Sequence, residues 1–157
     1  MPEKQEIEKW HRWFAVECNN AAWDLASKSS RTPGEDRQML LAAHAAAFHW
    51  SKAGQEINGA RADFLLGHAY ALAGDGGNAM KYAQSCLAWC ESNPCEDWDI
   101  AFAHAGISHA AAVLGDAPLH AKHHAIAETL GHAIKDEEDR KLFMGEFARL
   151  PLEAHGV

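Results

Sequence analysis

The chain alternates between apolar stretches with helical spacing and short polar breaks, and this pattern predicts seven helices. Within each stretch the apolar residues recur three or four positions apart, which is the period of a helix that buries one face. Glycine, proline or asparagine interrupts the pattern between stretches, as is typical of helix-helix turns. We expect helices at about residues 3–27, 33–52, 56–73, 78–92, 97–114, 118–133 and 136–149.

Residues at the ends of these stretches support the proposed boundaries. Thr32 and Pro33 suit the N-cap and the first position of the second helix, and Asp116 suits the cap of the sixth. Gly74 suits the left-handed residue that ends the third helix. The seventh helix has one apolar and one charged side, which predicts a C-terminal capping helix at about residues 136–150.

Two features set individual helices apart. The second and fifth helices have almost no polar face, and such helices are expected in the middle of a packed protein. The first helix is rich in aromatic side chains, for which packing into the end of the structure is the favoured interpretation and an exposed binding platform the alternative. Its aromatic residues are Trp10, Trp13, Phe14 and Trp23.

Residues 60–87 carry the clearest motif in the chain. It combines a Leu-Gly pair, an aromatic residue, a Gly-Asp turn and small residues in a second helix, here Leu66-Gly67, Tyr70, Gly74-Asp75, Ala79, Tyr82 and Leu87. This motif resembles the tetratricopeptide repeat. The resemblance implies an α-α superhelix of stacked antiparallel helix pairs, with the clearest repeats at about residues 60–93 and 101–133.

A second copy of the motif strengthens the resemblance. The segment from His68 to Asp75 aligns with the segment from His109 to Asp116, at an offset of 41 residues. The family repeat has about 34 residues. We therefore expect longer helices, or a longer link at about residues 91–97, in this chain.

Length and composition constrain the class of protein. A chain of 157 residues is expected to form one domain, here residues 1–157. The formal net charge of −8 argues against a nucleic-acid partner. No apolar run suits a signal peptide or a membrane span, and the cysteines follow neither a metal nor a disulfide pattern. We expect a reduced, cytoplasmic protein.

The resemblance also implies a binding site. Certain first-helix positions of the repeat line a concave groove, and they correspond here to Arg61, Phe64, His68, Phe102 and His109. A non-catalytic scaffold that binds a peptide or protein partner in this groove is the implied function. The carboxylate clamp of co-chaperone repeats is absent, because Phe64 and His68 occupy positions where that clamp needs Lys and Asn.

The histidine content supports an alternative function. Four of the eleven histidines lie in otherwise apolar helices, where a buried imidazole needs a hydrogen-bond partner: His44, His68, His104 and His109. They are interpreted either as packing residues or as the lining of a pocket for a metal or small ligand, possibly in an enzyme.

A second histidine group lies in the sixth helix. His120 and His124 are four residues apart and share a helix face, and a hairpin at Asp116 would bring His109 near His123 or His124. Three imidazole nitrogens suit a transition metal. The competing interpretation is that the histidines of this helix, including His123, are solvated. We predict no bound metal and no cofactor, and keep His109, His120 and His124 as the alternative metal ligands.

Overall fold

The computed structural model describes residue 1 and residues 3–154, which form seven helices joined by short links. The helices are α1 (Lys4–Ala26), α2 (Pro33–Ala53), α3 (Glu56–Leu72), α4 (Gly76–Ser92), α5 (Asp97–Leu114), α6 (Ala117–His132) and α7 (Glu137–Phe147). No strand occurs among the described residues. The predicted all-α class is confirmed, and every predicted boundary lies within two residues of the observed one. The ends of the predicted domain, residue 2 and residues 155–157, lie outside the described residues.

Consecutive helices pack against each other, so the chain forms the stacked pairs α1–α2, α3–α4 and α5–α6. The same turn joins the helices of the second and third pairs. Gly74 and Gly115 adopt left-handed φ values of 82° and 75°, a conformation that glycine reaches without strain. Asp75 and Asp116 then cap the following helices by accepting a hydrogen bond from the backbone three residues further on. The turn predicted at Gly74 is therefore confirmed.

The spacing of the pairs follows from the length of the helices. α3 and α5 begin 41 residues apart, and α3 and α4 each contain 17 residues. The links at residues 73–75 and 93–96 are short. Longer helices, rather than a longer link, therefore account for the offset seen in the sequence.

Close approach of α3 and α4 depends on one glycine. A Cβ atom on Gly67 would lie 3.2 Å from both the carbonyl oxygen of Ala79 and the amide nitrogen of Ala83. Both alanines are almost fully buried, so the two backbones meet with little side-chain volume between them. Beside this contact Tyr70 and Tyr82 stack with ring centroids 5.8 Å apart.

α5 is the central helix, as its lack of charge predicts, but the same prediction is wrong for α2. Among the described helices, α5 is contacted by α3, α4, α6 and α7, whereas α2 packs only on α1 and α3. Leu41 and Phe48 on α2 are accordingly 59% and 54% exposed. Where α2 faces neither α1 nor α3, it meets no other described helix, so its apolar residues there face solvent.

α7 connects the last pair to the first. Phe143 and Phe147 bury their rings against α5 and α6. Two residues beyond the helix, Arg149 donates a hydrogen bond from Nη2 to the carbonyl oxygen of Ser27, at the end of α1, at 2.6 Å. Within the described part of the chain, no helix is both long and apolar enough to cross a membrane.

Candidate functional site

A cavity of about 400 Å³ lies between α1, α3, α4, α5 and α7. Its walls are mainly aromatic, with rings contributed by Trp23, Phe64, Trp89, Trp98 and Phe102. Helical spacing explains how the rings converge. On α3 the lining residues are Ile57, Ala60, Arg61 and Phe64, which lie three or four positions apart and share one face.

The polar part of the wall consists of Asn19, Glu146 and one ion pair. Arg61 donates from Nε and Nη2 to the two carboxylate oxygens of Asp99, each at 2.9 Å. Asp99 is only 5% exposed and also accepts from the backbone N–H of Glu96 at 3.1 Å. The Arg61 guanidinium lies 4.3 Å from the centroid of the Trp98 ring, a cation–π distance.

Asp99 therefore neutralises the charge that Arg61 brings to the site. Its hydrogen bonds raise the pKa of the Arg61 guanidinium above its ordinary value. The Arg61 nitrogen that Asp99 leaves unengaged is Nη1, which keeps its N–H groups for a ligand. The wall thus offers hydrogen-bond donors without a free positive charge.

The predicted groove residues lie in one continuous run of contacts. The Phe64 ring is 5.1 Å from Phe102 and stacks on His68 at 5.9 Å, measured between ring centroids. His68 is in turn 5.4 Å from His109. Arg61, Phe64 and Phe102 line the cavity, whereas the two histidines extend the run beyond it.

His68 and His109 are neutral at neutral pH because of where they lie. Burial lowers the pKa of His68 to about 3, and repulsion from His109, Arg149 and Arg31 acts in the same direction. Burial lowers the pKa of His109 to about 4, with a further contribution from His120. Neutral imidazoles can donate and accept hydrogen bonds, and they add no charge to the run.

The expectation that the histidines of α6 are solvated is wrong for two of them. His120 and His123 are 4% and 8% exposed, because the facing surface of α5 consists largely of small residues that leave space for imidazole rings. His123 Nδ1 lies 2.9 Å from Nδ1 of His104.

His44, one of the four histidines that the sequence places in apolar helices, is exposed on α2. Its Nε2 lies 2.8 Å from the Tyr70 hydroxyl oxygen.

Among the described residues, three buried imidazole nitrogens have no hydrogen-bond partner: His109 Nδ1, His120 Nε2 and His124 Nε2. The other nitrogen of His120, Nδ1, has two neighbours, because it lies 3.0 Å from both the carbonyl oxygen and the hydroxyl oxygen of Ser108. A proton on Nδ1 would satisfy the carbonyl oxygen, which can only accept, and would leave Nε2 as an acceptor without a partner. Each unpaired buried group of this kind costs about 1–3 kcal/mol.

These three nitrogens do not form a metal site in this structure. The His120 and His124 rings are 5.4 Å apart, and His124 packs on Phe147 at 4.6 Å. Among residues 1 and 3–154, no group of three histidine, cysteine or acidic side chains is arranged to hold a metal ion. The alternative ligand set therefore lies close together without surrounding a common ion position.

Of the residues that line the cavity, sequence reasoning predicted Arg61, Phe64 and Phe102 and missed the others, among them Trp23, Trp89, Trp98 and Asp99. The sequence did indicate an acidic partner such as Asp99, because an arginine in an apolar helix needs one.

Comparisons with protein-family models, curated proteins and solved structures found no match for this chain. The function is consequently inferred from the cavity itself.

Proposed function

We propose that this protein is a non-catalytic scaffold of tetratricopeptide-like repeats that binds a peptide or protein partner in its concave groove. The observation that carries the proposal is the aromatic cavity, in which an apolar side chain of the partner would be buried. Its volume of about 400 Å³ falls within the range of about 300–1,000 Å³ that is usual for ligand pockets. The repeated Gly-Asp turn and the close contact at Gly67 support the repeat assignment.

The chemistry of the wall favours an uncharged anchor. Because Asp99 neutralises Arg61, a partner carboxylate would gain little electrostatic attraction at the cavity. Nη1 of Arg61 can still donate to a backbone carbonyl of the partner, and the Asn19 amide can donate or accept. Leu142, which is 65% exposed at the α7 side, adds apolar area for the residues that flank the anchor. An aromatic or large aliphatic side chain within a peptide fits this combination.

A phage-displayed library of random peptides supplies a probe for the test. Selected peptides are synthesised, and their affinities are measured by calorimetry for wild type, Phe64→Ala and Ala60→Trp. The indole introduced by Ala60→Trp would fill the cavity, whereas Phe64→Ala removes part of its wall. We expect Phe64→Ala to weaken binding by about 1–3 kcal/mol, and Ala60→Trp to abolish it.

Leu41→Ala is the matched control, since Leu41 is an exposed apolar residue of α2 that does not line the cavity. It is expected to bind as wild type does. Thermal melts by circular dichroism establish that each variant is folded. Selected peptides that bind folded Ala60→Trp and folded Phe64→Ala as tightly as wild type would remove the cavity as the binding site.

A second candidate function is binding of a small ligand at His109, His120 and His124, or of a metal ion toward which these three rings would have to turn. The three unpaired buried nitrogens favour it, since buried polar groups usually have partners. Metal analysis of protein purified without a histidine tag tests this candidate. One equivalent of metal per chain, lost on replacing His120 by Phe, would support it, and metal-free protein that does not bind added Zn²⁺ would reject its metal form.

A further inference from the structure

An exposed group of aromatic rings lies on the first helix pair, and none of its members lines the cavity. The aromatic patch consists of Trp10, Trp13 and Phe14 on α1 with Phe48 and His49 on α2. Neighbouring ring centroids are 4.9 Å apart for Trp13 and Phe14, and 5.3 Å apart both for Phe14 and His49 and for Phe48 and His49. The favoured interpretation of the aromatic residues in α1, packing into the end of the structure, is therefore wrong for Trp10, Trp13 and Phe14.

The size of the aromatic patch suits the centre of a protein interface. Trp10, Trp13, Phe14 and Phe48 are 54%, 52%, 41% and 54% exposed. With about 150–250 Å² for a whole aromatic side chain, they present roughly 300–500 Å² of ring surface together. A standard interface buries about 800 Å² on each partner, with aromatic residues enriched in its core and polar residues at its rim. The aromatic patch would supply about half of such an area.

The charges beside the aromatic patch are self-complementary. Lys9 lies four residues before Trp13 and Glu17 four residues after it, and all three are exposed on α1. Neither Lys9 nor Glu17 forms an ion pair within the described part of the chain. When two copies of α1 cross antiparallel at Trp13, each Lys9 faces Glu17 of the other copy. A parallel crossing would instead place like charges together.

We propose that the aromatic patch is the core of a homodimer interface in which two copies of α1 pack antiparallel across Trp13. A twofold axis through Trp13 makes the interface isologous, so the Lys9–Glu17 pair occurs twice. We infer that the partner is a second copy of this chain, because the twofold axis places each Lys9 opposite a Glu17 of the other copy. The cavity takes no part in the interface, so this proposal does not depend on the proposed function.

Sedimentation equilibrium over a wide range of protein concentration tests the proposal. Wild type is expected to be a dimer. Trp13→Ala should raise the dimer dissociation constant about 30-fold or more, the effect of removing an interface hot spot. Leu152→Ala, which truncates a 77% exposed side chain outside the aromatic patch, should leave the dissociation constant unchanged. Circular dichroism melts establish that the variants are folded.

Charge reversal tests the antiparallel geometry separately. Lys9→Glu and Glu17→Lys should each weaken the dimer, because each brings like charges together twice. The double variant restores opposite charges at both ends and should recover the wild-type dissociation constant. Wild type that stays monomeric at every concentration would overturn the proposal, as would a double variant that dissociates as readily as the single ones.

Discussion

Acid should destabilise this protein through two histidines of the groove, the half-buried His68 and the buried His109. The perturbation is a drop from about pH 7.5 to about pH 5, across the ordinary histidine pKa of about 6.5. In the folded chain the pKa of His68 is about 3 and that of His109 is about 4. Between these values and 6.5 the unfolded chain binds a proton at each site and the folded chain does not. The free energy of unfolding therefore falls as the pH falls.

The size of the effect follows from the difference between the histidine pKa in the unfolded chain and the pH of the solution. At pH 5 this difference is about 1.5 units, and each unit corresponds to about 1.36 kcal/mol. Each histidine therefore lowers the free energy of unfolding by about 2 kcal/mol. The pair removes about 4 kcal/mol, which is a large part of the 5–15 kcal/mol typical of a folded domain. Above about pH 7 the effect vanishes, because both states are then neutral at these sites.

Urea unfolding monitored by circular dichroism at both pH values measures this loss. His68→Gln and His109→Gln should each reduce the difference between the two pH values by about 2 kcal/mol, even if a variant is less stable at both. Leu152→Ala changes an exposed side chain that does not titrate and should keep the wild-type difference. The same pH dependence in wild type and in both groove variants would refute the assignment of acid sensitivity to these two residues.

Other expectations concern the ion pair and the packing of α7. Arg61→Leu leaves the buried carboxyl group of Asp99 without its ion-pair partner, so chemical denaturation should show a loss of about 3–5 kcal/mol in the free energy of unfolding, whereas the double variant with Asp99→Leu should lose less. A Cβ on Gly131 would lie 2.2 Å from the Phe143 ring, so Gly131→Ala should lower the melting temperature and increase amide exchange in α7. Gly59→Ala, where a Cβ meets no atom within 4 Å, should be neutral or stabilise by up to about 1 kcal/mol. Equal melting temperatures for the two alanine variants would contradict the packing argument.

Helix positions could be predicted closely because their determinants are local. The start of α2 needs only Thr32 and Glu35, whose side chains and backbones bond each other in a capping box. The end of α3 needs only Gly74 in its left-handed conformation. Such short-range features can be read from a few consecutive residues without knowledge of the packing.

Burial was harder to predict because it depends on how many helices surround each face. The apolar pattern of α2 resembles that of α5, yet only α5 has neighbours on several sides. Likewise, nothing near His120 in the sequence indicates that small residues of α5 leave space for its ring. The Arg61–Asp99 pair joins residues 38 positions apart, and its formation depends on the angle at which α3 meets α5. Partner binding at the groove remains a prediction.

The hydrogen bond from Arg149 to Ser27 joins residues that are 122 positions apart in the chain. In an open array each repeat touches only its neighbours, so the terminal units fray independently. Here α1 and α7 also share the walls of the cavity, so detaching either helix disrupts both ends of the chain. The protein should consequently unfold as one cooperative unit, with amides of α1 and α7 exchanging only at a free energy close to that of α5. The hydrogen bond and the shared cavity wall thus couple the two ends of the chain, which remain independent in an open repeat array.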